Sequence, residues 1–142
     1  MNTFVSIVRA VLLTAVLMVS GSALAREPVP IINPTDVSVV AASGKKLSAA
    51  EVQQVISRTA TEKKWIVSAP QNDKFTASLS WNANKHTIVV EIACQPDRYS
   101  ITYKDSVNMK YEVLNGVPRI HPYYDRHVNA LRDAIRVGFM KL

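Results

Sequence analysis

The fold is decided by residues 75–103, which read FTASLSWNANKHTIVVEIACQPDRYSITY. Apolar residues alternate here with small polar ones, and this period of two indicates β-strands with one buried face. The alternation stops at Asn82–Lys85 and again at Gln95–Arg98, where turn-forming residues gather. The stretch therefore predicts a three-stranded antiparallel meander, with one tight turn at Ala83-Asn84 and a type I turn over Gln95–Arg98 that has Pro96 at its second position.

The two turns fix which residues face each other across the meander. In the first hairpin the facing pairs are Trp81–His86, Leu79–Ile88, Ala77–Val90 and Phe75–Ile92. In the second hairpin they are Cys94–Tyr99, Ile92–Ile101 and Val90–Tyr103. The apolar side chains of all three strands then share one face, and a slip of one residue would turn them to water. Because each large side chain misplaced would cost about 1.5–3 kcal/mol, the register is strongly specified.

Residues 1–25 have the three parts of a secretory signal peptide. Arg9 supplies the positive region, residues 10–19 supply the short apolar region, and Ala23-Leu24-Ala25 is a small-x-small cleavage site. Ser20-Gly21-Ser22 interrupts the apolar run before it reaches the roughly 20 residues of a membrane span. We therefore expect an exported protein whose leader is cleaved, with no membrane span afterwards. No cysteine lies near the cleavage site to accept a lipid.

The mature chain, residues 26–142, has the length of one domain. Residues 26–35 contain three prolines and predict an extended, poorly ordered lead-in, which leaves 36–142 as the single domain. Cys94 is the only cysteine, so no disulfide can form within the chain, and its place on the apolar face predicts a small buried hydrophobe. The formal net charge of the full sequence is +6, which becomes 6 − 1 = +5 without Arg9 of the leader; it comes from scattered basic pairs rather than runs, which is not a nucleic-acid signature.

Two amphipathic helices are predicted, one before and one after the meander. The first begins at a capping box made by Ser48 and Glu51, and Leu47 and Val52 have the spacing of a hydrophobic staple. Its apolar face comprises Val52, Val55, Ile56 and Ala60. The second helix begins with Pro122 at its first position. Its apolar stripe comprises Tyr124, Val128, Leu131, Ile135 and Phe139.

The remaining segments complete a predicted order of β-α-β-β-β-α. Asp36–Ala42 is a candidate first strand and Trp65–Val67 a short one, while Lys104–Tyr111 is a polar loop or a bulged edge. Asn115-Gly116 marks a tight turn, and Pro118 weakens any strand after it. The meander has one apolar face and each helix one apolar stripe. We therefore expect an α+β, two-layer sandwich with a mostly antiparallel sheet and both helices on one face.

Two segments in the C-terminal part of the chain carry a resemblance to a known group of proteins. They read YSITYKDSVNMKY at residues 99–111 and IHPYYD at residues 120–125, and a helix containing Leu131 and Ile135 follows. This combination resembles a family of small proteobacterial envelope proteins, some exported freely and some lipoproteins, in which such a segment precedes a C-terminal helix. The resemblance implies a bacterial periplasmic setting and brings no established activity or catalytic residues.

The spacing of the titratable residues predicts neither a metal nor a cofactor site. His86, His121 and His127 lack the i, i+4 spacing of a helical metal-binding pair, and Pro122 lies between the last two. The sequence has no CxxC, HExxH or GxSxG motif. We expect His121 to close the N-terminus of the second helix and His86 to cover the Trp81 end of the sheet.

The candidate binding residues lie on the loops beyond the meander, because loops carry a large share of protein function. They are Asp105, Asn108, Tyr111, His121 and Tyr123. We expect a non-enzymatic binding or interaction module of the cell envelope, whose partner is an envelope protein or a small ligand. Alternatively, His121 with Asp105 or Lys104 would make a small hydrolase of the nuclease or phosphoesterase kind. A third interpretation is a homo-oligomer that pairs through a sheet edge.

Overall fold

The computed structural model describes residues 26–142 of the chain. The predicted leader, residues 1–25, and its cleavage site lie outside the described residues. The export inferred from the leader therefore stays a prediction. The strands are β1 (Val29–Pro30), β2 (Val37–Ser38), β3 (Ile66–Val67), β4 (Lys74–Trp81), β5 (His86–Gln95), β6 (Arg98–Val107), β7 (Glu112–Leu114) and β8 (Val117–Ile120). The helices are α1 (Ala49–Glu62) and α2 (Tyr123–Phe139).

Strands β4, β5 and β6 form the predicted meander in the predicted register. Every facing pair is present, from Trp81–His86 in the first hairpin to Cys94–Tyr99 in the second. The meander is the middle of a five-stranded sheet with the order β2-β6-β5-β4-β3, in which all neighbours are antiparallel. The alternation of apolar and polar residues therefore determined the pairing of the three longest strands.

The two turns of the meander differ in how well they were predicted. Asn82, Ala83 and Asn84 all have positive φ in the first turn, which asparagine tolerates. The type I prediction for the second turn is wrong, because Asp97 has a φ of +56°. A positive φ at the third turn position is a property of type II. The Asp97 carboxylate accepts a hydrogen bond from Leu47 N at 2.8 Å, and its carbonyl accepts one from Val39 N at 2.9 Å. These bonds hold the turn against the chain that precedes α1.

Both helices cover the apolar face of the five-stranded sheet, as predicted. Helix α2 meets it through two ring contacts, Trp81 with His127 at 4.5 Å and Tyr103 with Tyr124 at 5.7 Å between centroids. The predicted apolar residues of α1 and α2 are all buried in one core with the meander. This arrangement confirms the α+β fold with two helices on one face.

The start of α1 follows the predicted capping box. Ser48 Oγ accepts a hydrogen bond from Glu51 N at 3.2 Å, and Glu51 Oε2 accepts one from Ser48 N at 2.9 Å. Leu47 and Val52 are both buried, as a hydrophobic staple requires. The ammonium of Lys45 lies 2.6 Å from Glu51 Oε1, and this hydrogen bond, with that of Ser48 N, lowers the pKa of Glu51 to about 2.

The predicted strand Asp36–Ala42 shortens to two residues. Val37 and Ser38 pair with Tyr99 and Arg98, and Arg98 is the first residue of β6. Residues 39–42 therefore have no strand beside them, and the chain turns instead at 41–44, where Gly44 N donates to Ala41 O. The strand ends because β6 begins at Arg98, and Val39 N bonds instead to Asp97 O in the turn before β6.

The segment after the meander contains more strand than predicted. Lys104 is a β-bulge in β6, since Tyr103 faces Val90 and Asp105 faces Val89. A hairpin of β7 and β8 then turns at Asn115-Gly116, both with positive φ. The predicted order β-α-β-β-β-α therefore has too few strands, because it omits β1, β3, β7 and β8.

Pro118 does not prevent β8 from lying in the middle of a second, three-stranded sheet with the order β1-β8-β7. Its carbonyl accepts a hydrogen bond from Ile31 N at 2.9 Å. The backbone polar groups of one strand residue point to the same side, so the missing N–H faces β1. The proline therefore removes no hydrogen bond from the β7–β8 hairpin.

The lead-in at residues 26–35 is extended as predicted, but it is hydrogen-bonded rather than poorly ordered. Val29 and Pro30 form β1 against β8. Asn33 Oδ1 then accepts a hydrogen bond from Tyr103 N at 2.9 Å, and Pro34 O accepts one from Ile101 N at 2.7 Å. The proline-rich segment thus covers the open edge of β6. Its sequence pattern does not indicate this contact, because the hydrogen-bond partners lie about 70 residues further along the chain.

Candidate functional site

His121 and Tyr123, two of the predicted site residues, lie together at the N-terminus of α2. Tyr123 N donates to His121 Nδ1 at 3.1 Å, and the two rings meet edge to face at 4.6 Å. Tyr123 is 36% exposed. The guanidinium carbons of Arg26 and Arg126 lie 5.4 and 5.9 Å from the centroid of its ring. His121 closes the helix as predicted, and two guanidinium groups lie near the partly exposed ring of Tyr123.

Asn108 holds the neighbouring corner of the sheet together. Its Nδ2 donates to Lys85 O at 3.2 Å, and its backbone carbonyl oxygen lies 3.0 Å from His86 Nδ1. The next residue, Met109, is buried and accepts a hydrogen bond from His121 N at 2.8 Å. Asn108 and His121 are therefore neighbours through the backbone, and the polar groups of Asn108 bind the protein itself.

Tyr111 and Asp105 belong to a different group, centred on Tyr103. The rings of Tyr103 and Tyr111 are stacked at 4.8 Å with an interplanar angle of 6°. The Tyr103 hydroxyl lies 2.9 Å from Ser106 Oγ, and Asp105 Oδ1 accepts a hydrogen bond from Ser106 N at 2.8 Å. The predicted site residues thus divide between two clusters.

No hydrogen bond or ion pair joins His121 to Asp105 or Lys104 within residues 26–142. Burial lowers the pKa of His121, and the charges of Lys110, Arg26 and His86 lower it further. A nearby carboxylate would have the opposite effect on an imidazolium. Lys104 lines a polar cavity on the other face of the sheet, beside the ion pair of Lys74 and Glu91.

Trp81 brings two of the three histidines together at the same end of the sheet. His86 stacks on its ring at 5.5 Å, which confirms the predicted cover, and His127 approaches at 4.5 Å. Burial lowers the pKa of His127, with a contribution from Arg126. Among the described residues no three His, Cys, Asp or Glu side chains are placed to hold a metal ion. The histidines here pack against an aromatic ring.

Cys94 lies in the core near the opposite end of the sheet. Its burial raises the pKa of the thiol to about 12, and the charge of Asp73 acts in the same direction. A thiol of this kind stays protonated at neutral pH and is a poor nucleophile. The prediction of a small buried hydrophobe is confirmed.

A pocket that the sequence did not reveal lies at the C-terminal end of α2. Its volume is about 690 Å³, and it lies between the chain after β2, the start of β6 and the last turns of α2. The apolar lining residues are Val37, Val39, Val40, Ala42, Tyr99, Phe139 and Met140. The polar lining residues are Ser38, Arg132, Asp133 and Arg136. The only sequence signal was the apolar character of Val39 and Val40, which suggested a longer strand.

The floor and the mouth of this pocket have different chemistry. Tyr99 and Phe139 are buried, whereas Val40 and Met140 are 72% and 56% exposed. Burial raises the pKa of the Tyr99 hydroxyl to about 12; Arg132 opposes this rise. The hydroxyl is therefore neutral at physiological pH.

Arg132 and Arg136 are available at the mouth of the pocket. Both side chains are exposed, and neither forms a salt bridge with another residue in the described range. Arg136 Nη1 lies 3.7 Å from the sulfur of Met140. The pocket thus joins an apolar interior to two guanidinium groups that have no acidic partner among the described residues.

Comparison of the chain with known protein families, with curated proteins and with solved structures gives no match. The resemblance to proteobacterial envelope proteins accordingly stays a prediction. Neither α1 nor α2 has both the length and the apolar character that a membrane-crossing helix needs.

Proposed function

We propose that the mature chain is a non-enzymatic binding module of the bacterial cell envelope, which holds a small, largely apolar molecule in the pocket at the C-terminal end of α2. The observation that carries this proposal is the pocket itself, with a volume of about 690 Å³. Small-molecule sites have volumes of about 300–1,000 Å³, mostly apolar walls and a few polar groups. The walls formed by Tyr99, Phe139 and Val39 match that description.

The exposed apolar residues at the mouth support the same function. Val40 and Met140 face water across the pocket, although neither contributes to the core. A ligand between them would remove apolar surface from water, at about 25 cal/mol per Å². Ligand binding therefore gives these two side chains a role that the fold does not.

The groups that line the pocket favour binding over catalysis. A neutral tyrosine, a serine and two arginines contain no base placed against a nucleophile. His121, the residue that the hydrolase alternative requires, lies at the other end of α2. A periplasmic location is part of the proposal and is supported by the predicted leader and by the resemblance.

The test uses the mature chain, residues 26–142, freed of co-purifying lipid. It is titrated with N-phenyl-1-naphthylamine, a neutral fluorophore that brightens in apolar surroundings. We expect saturable binding of one probe per chain. Ala42→Trp should fill the mouth and weaken binding about tenfold or more, since one lost side-chain contact of about 1.4 kcal/mol has that effect.

The matched control is Ala50→Trp, which adds the same ring at an exposed position of α1 outside the pocket. It should leave probe binding unchanged. Binding that does not saturate, or that both tryptophans weaken equally, would contradict the proposed function.

A further inference from the structure

We propose that the ligand of the pocket is a long-chain fatty acid, whose chain lies against Tyr99 and Phe139 and whose carboxylate is bound by Arg132 and Arg136. This inference rests on the proposed function and names the ligand class of the same site. It follows from the position of the two arginines beside an apolar interior and from the net charge of the mouth.

The two arginines form one stripe along α2, adjacent to the buried stripe. Arg132, Arg136 and Met140 are spaced by four residues, so they lie above one another on the helix and its C-terminal extension. The buried residue Phe139 precedes Met140 and forms the apolar wall. The same part of α2 therefore presents a cationic side and an apolar side to one pocket.

The charge at the mouth fits a single negative group. Arg132 and Arg136 contribute two positive charges and Asp133 one negative charge, which leaves a net charge of one positive unit. A carboxylate would neutralise it and can accept paired hydrogen bonds from a guanidinium. A cationic or a doubly charged head group would leave uncompensated charge beside the apolar interior.

The helix dipole limits where the carboxylate can lie. The C-terminus of α2 carries partial negative charge, which repels an anion, but this effect falls off within the last turn. Arg132 lies seven residues before Phe139, or about 10 Å along the axis. The carboxylate is therefore placed toward Arg132, with Arg136 between it and the helix end.

The acyl chain would extend from the arginines toward residues 37–42. Residues 39–42 belong to no strand, and Val40 is highly exposed. A chain of methylene groups can bury the side chains of Val40 and Met140 without needing hydrogen bonds from the pocket walls. Each methylene removed from water contributes about 0.8 kcal/mol, so affinity should increase with chain length.

The experiment compares ligands that share a sixteen-carbon chain and differ in the head. The competitors are palmitate, hexadecanol, hexadecyltrimethylammonium and a palmitoyl lysophosphatidylglycerol. Each is titrated against N-phenyl-1-naphthylamine bound to the mature chain, at concentrations below those at which the competitor aggregates. We expect palmitate to bind about tenfold or more tightly than hexadecanol, and the cation to bind weakest. Palmitate affinity should fall with added salt, whereas hexadecanol affinity should not.

Variants of the arginines assign the head group to its site. Arg132→Gln with Arg136→Gln should remove the preference for palmitate and leave hexadecanol affinity within about twofold. Arg58→Gln with Arg126→Gln is the matched control, since it removes the same charge from residues that do not line the pocket. Asp133→Asn should strengthen palmitate binding about threefold by removing a like charge.

The outcomes separate the two proposals. If palmitate and hexadecanol bind equally, or if the control pair weakens palmitate as much as the pocket pair, the fatty-acid assignment is overturned while the binding module stands. If the lysophospholipid binds more tightly than palmitate, the fatty-acid assignment is also overturned, because the pocket then prefers a larger head group. If neither the neutral probe nor hexadecanol binds, the proposed function itself fails.

Discussion

The two ends of α2 differ in how their accessible side chains are partnered. At the N-terminal end, Tyr123, His127 and His121 have their rings against other rings or cations of the protein. At the C-terminal end, Val40 and Met140 face an open pocket. Aromatic and polar groups at the first end thus have protein partners, while Val40 and Met140 at the second are largely exposed.

This difference shows why motif density is a poor guide to the site. The tyrosine- and histidine-rich segments around residues 99–125 drew attention to the first end, but most of their contacts are internal. The second end has no motif, because its pocket is formed by residues far apart in the chain. Exposed apolar side chains, rather than an unusual composition, distinguish the C-terminal end of α2.

The largest effect is expected from disruption of the core, which supports both ends of α2. Val90 is fully buried in β5, midway along the central strand. Val90→Asp places a charge without a partner in the core, which costs about 3–5 kcal/mol. We expect circular dichroism to show a large fall in Tm and loss of probe binding, whereas Val90→Ala should keep the fold at lower stability. Unchanged melting of Val90→Asp would contradict the packing of the sheet described above.

One variant at each end of α2 separates stability from binding. Trp81→Ala removes the ring between His86 and His127 and should lower the free energy of unfolding by about 2–3 kcal/mol. Met140→Ala should cost less than about 1 kcal/mol, because the side chain is exposed, yet it should weaken probe binding about fivefold. Urea unfolding and probe titration measure the two effects.

If Met140→Ala destabilised the fold more than Trp81→Ala, or Trp81→Ala weakened probe binding more than Met140→Ala, the two ends of α2 would not differ as described. The same conclusion would follow if His121→Ala and Tyr123→Ala weakened probe binding as Met140→Ala does. The hypothesis that an envelope partner binds at His121 and Tyr123 stays a separate prediction. Unchanged crosslinking of that partner in cells that carry both alanine variants would contradict it.

A smaller effect is expected at Tyr124, in the first turn of α2. Its hydroxyl is buried and has no hydrogen-bond partner among the described residues. Because an unsatisfied buried hydroxyl costs free energy, Tyr124→Phe should stabilise the protein by about 1 kcal/mol, measured by urea unfolding. Destabilisation of that size would show that the hydroxyl makes a bond in solution.

The smallest effect expected is a pH dependence of the aromatic end. Burial lowers the pKa of both His121 and His127 in the folded chain. The unfolded chain then binds more protons below its ordinary histidine pKa of about 6.5, so stability should fall as the pH decreases from 7.5 to 5.5. His121→Gln with His127→Gln should flatten that slope. Probe binding, at the other end of α2, should not follow it in the native pH range.

The parts of the fold that were predicted depend on local patterns. The alternation in β4–β6 gave strand pairing, and the Ser48–Glu51 box gave the start of α1, because both signals lie within a few residues. The β7–β8 hairpin was missed because Pro118 indicated a weak strand, although its missing N–H faces β1.

The pocket depends on contacts between distant parts of the chain. Residues 37–42 and 132–140 are far apart in the chain, and they line one pocket together with Tyr99 of β6. The predicted site residues were partly brought together, since His121 and Tyr123 contact each other, while Tyr111 and Asp105 belong to the Tyr103 cluster. Sequence patterns selected these candidate residues but did not show which side chains they contact.

The central claim is that the C-terminal end of α2, and not its N-terminal end, receives the ligand. Methyl NMR of the mature chain, labelled at valine and methionine, tests it when palmitate is added below its micelle concentration. We expect saturable shifts at Val39, Val40 and Met140, and none at Val113 or Val117 in the exposed hairpin. Shifts confined to the hairpin, or to Val128 near the Trp81 end, would contradict the claim.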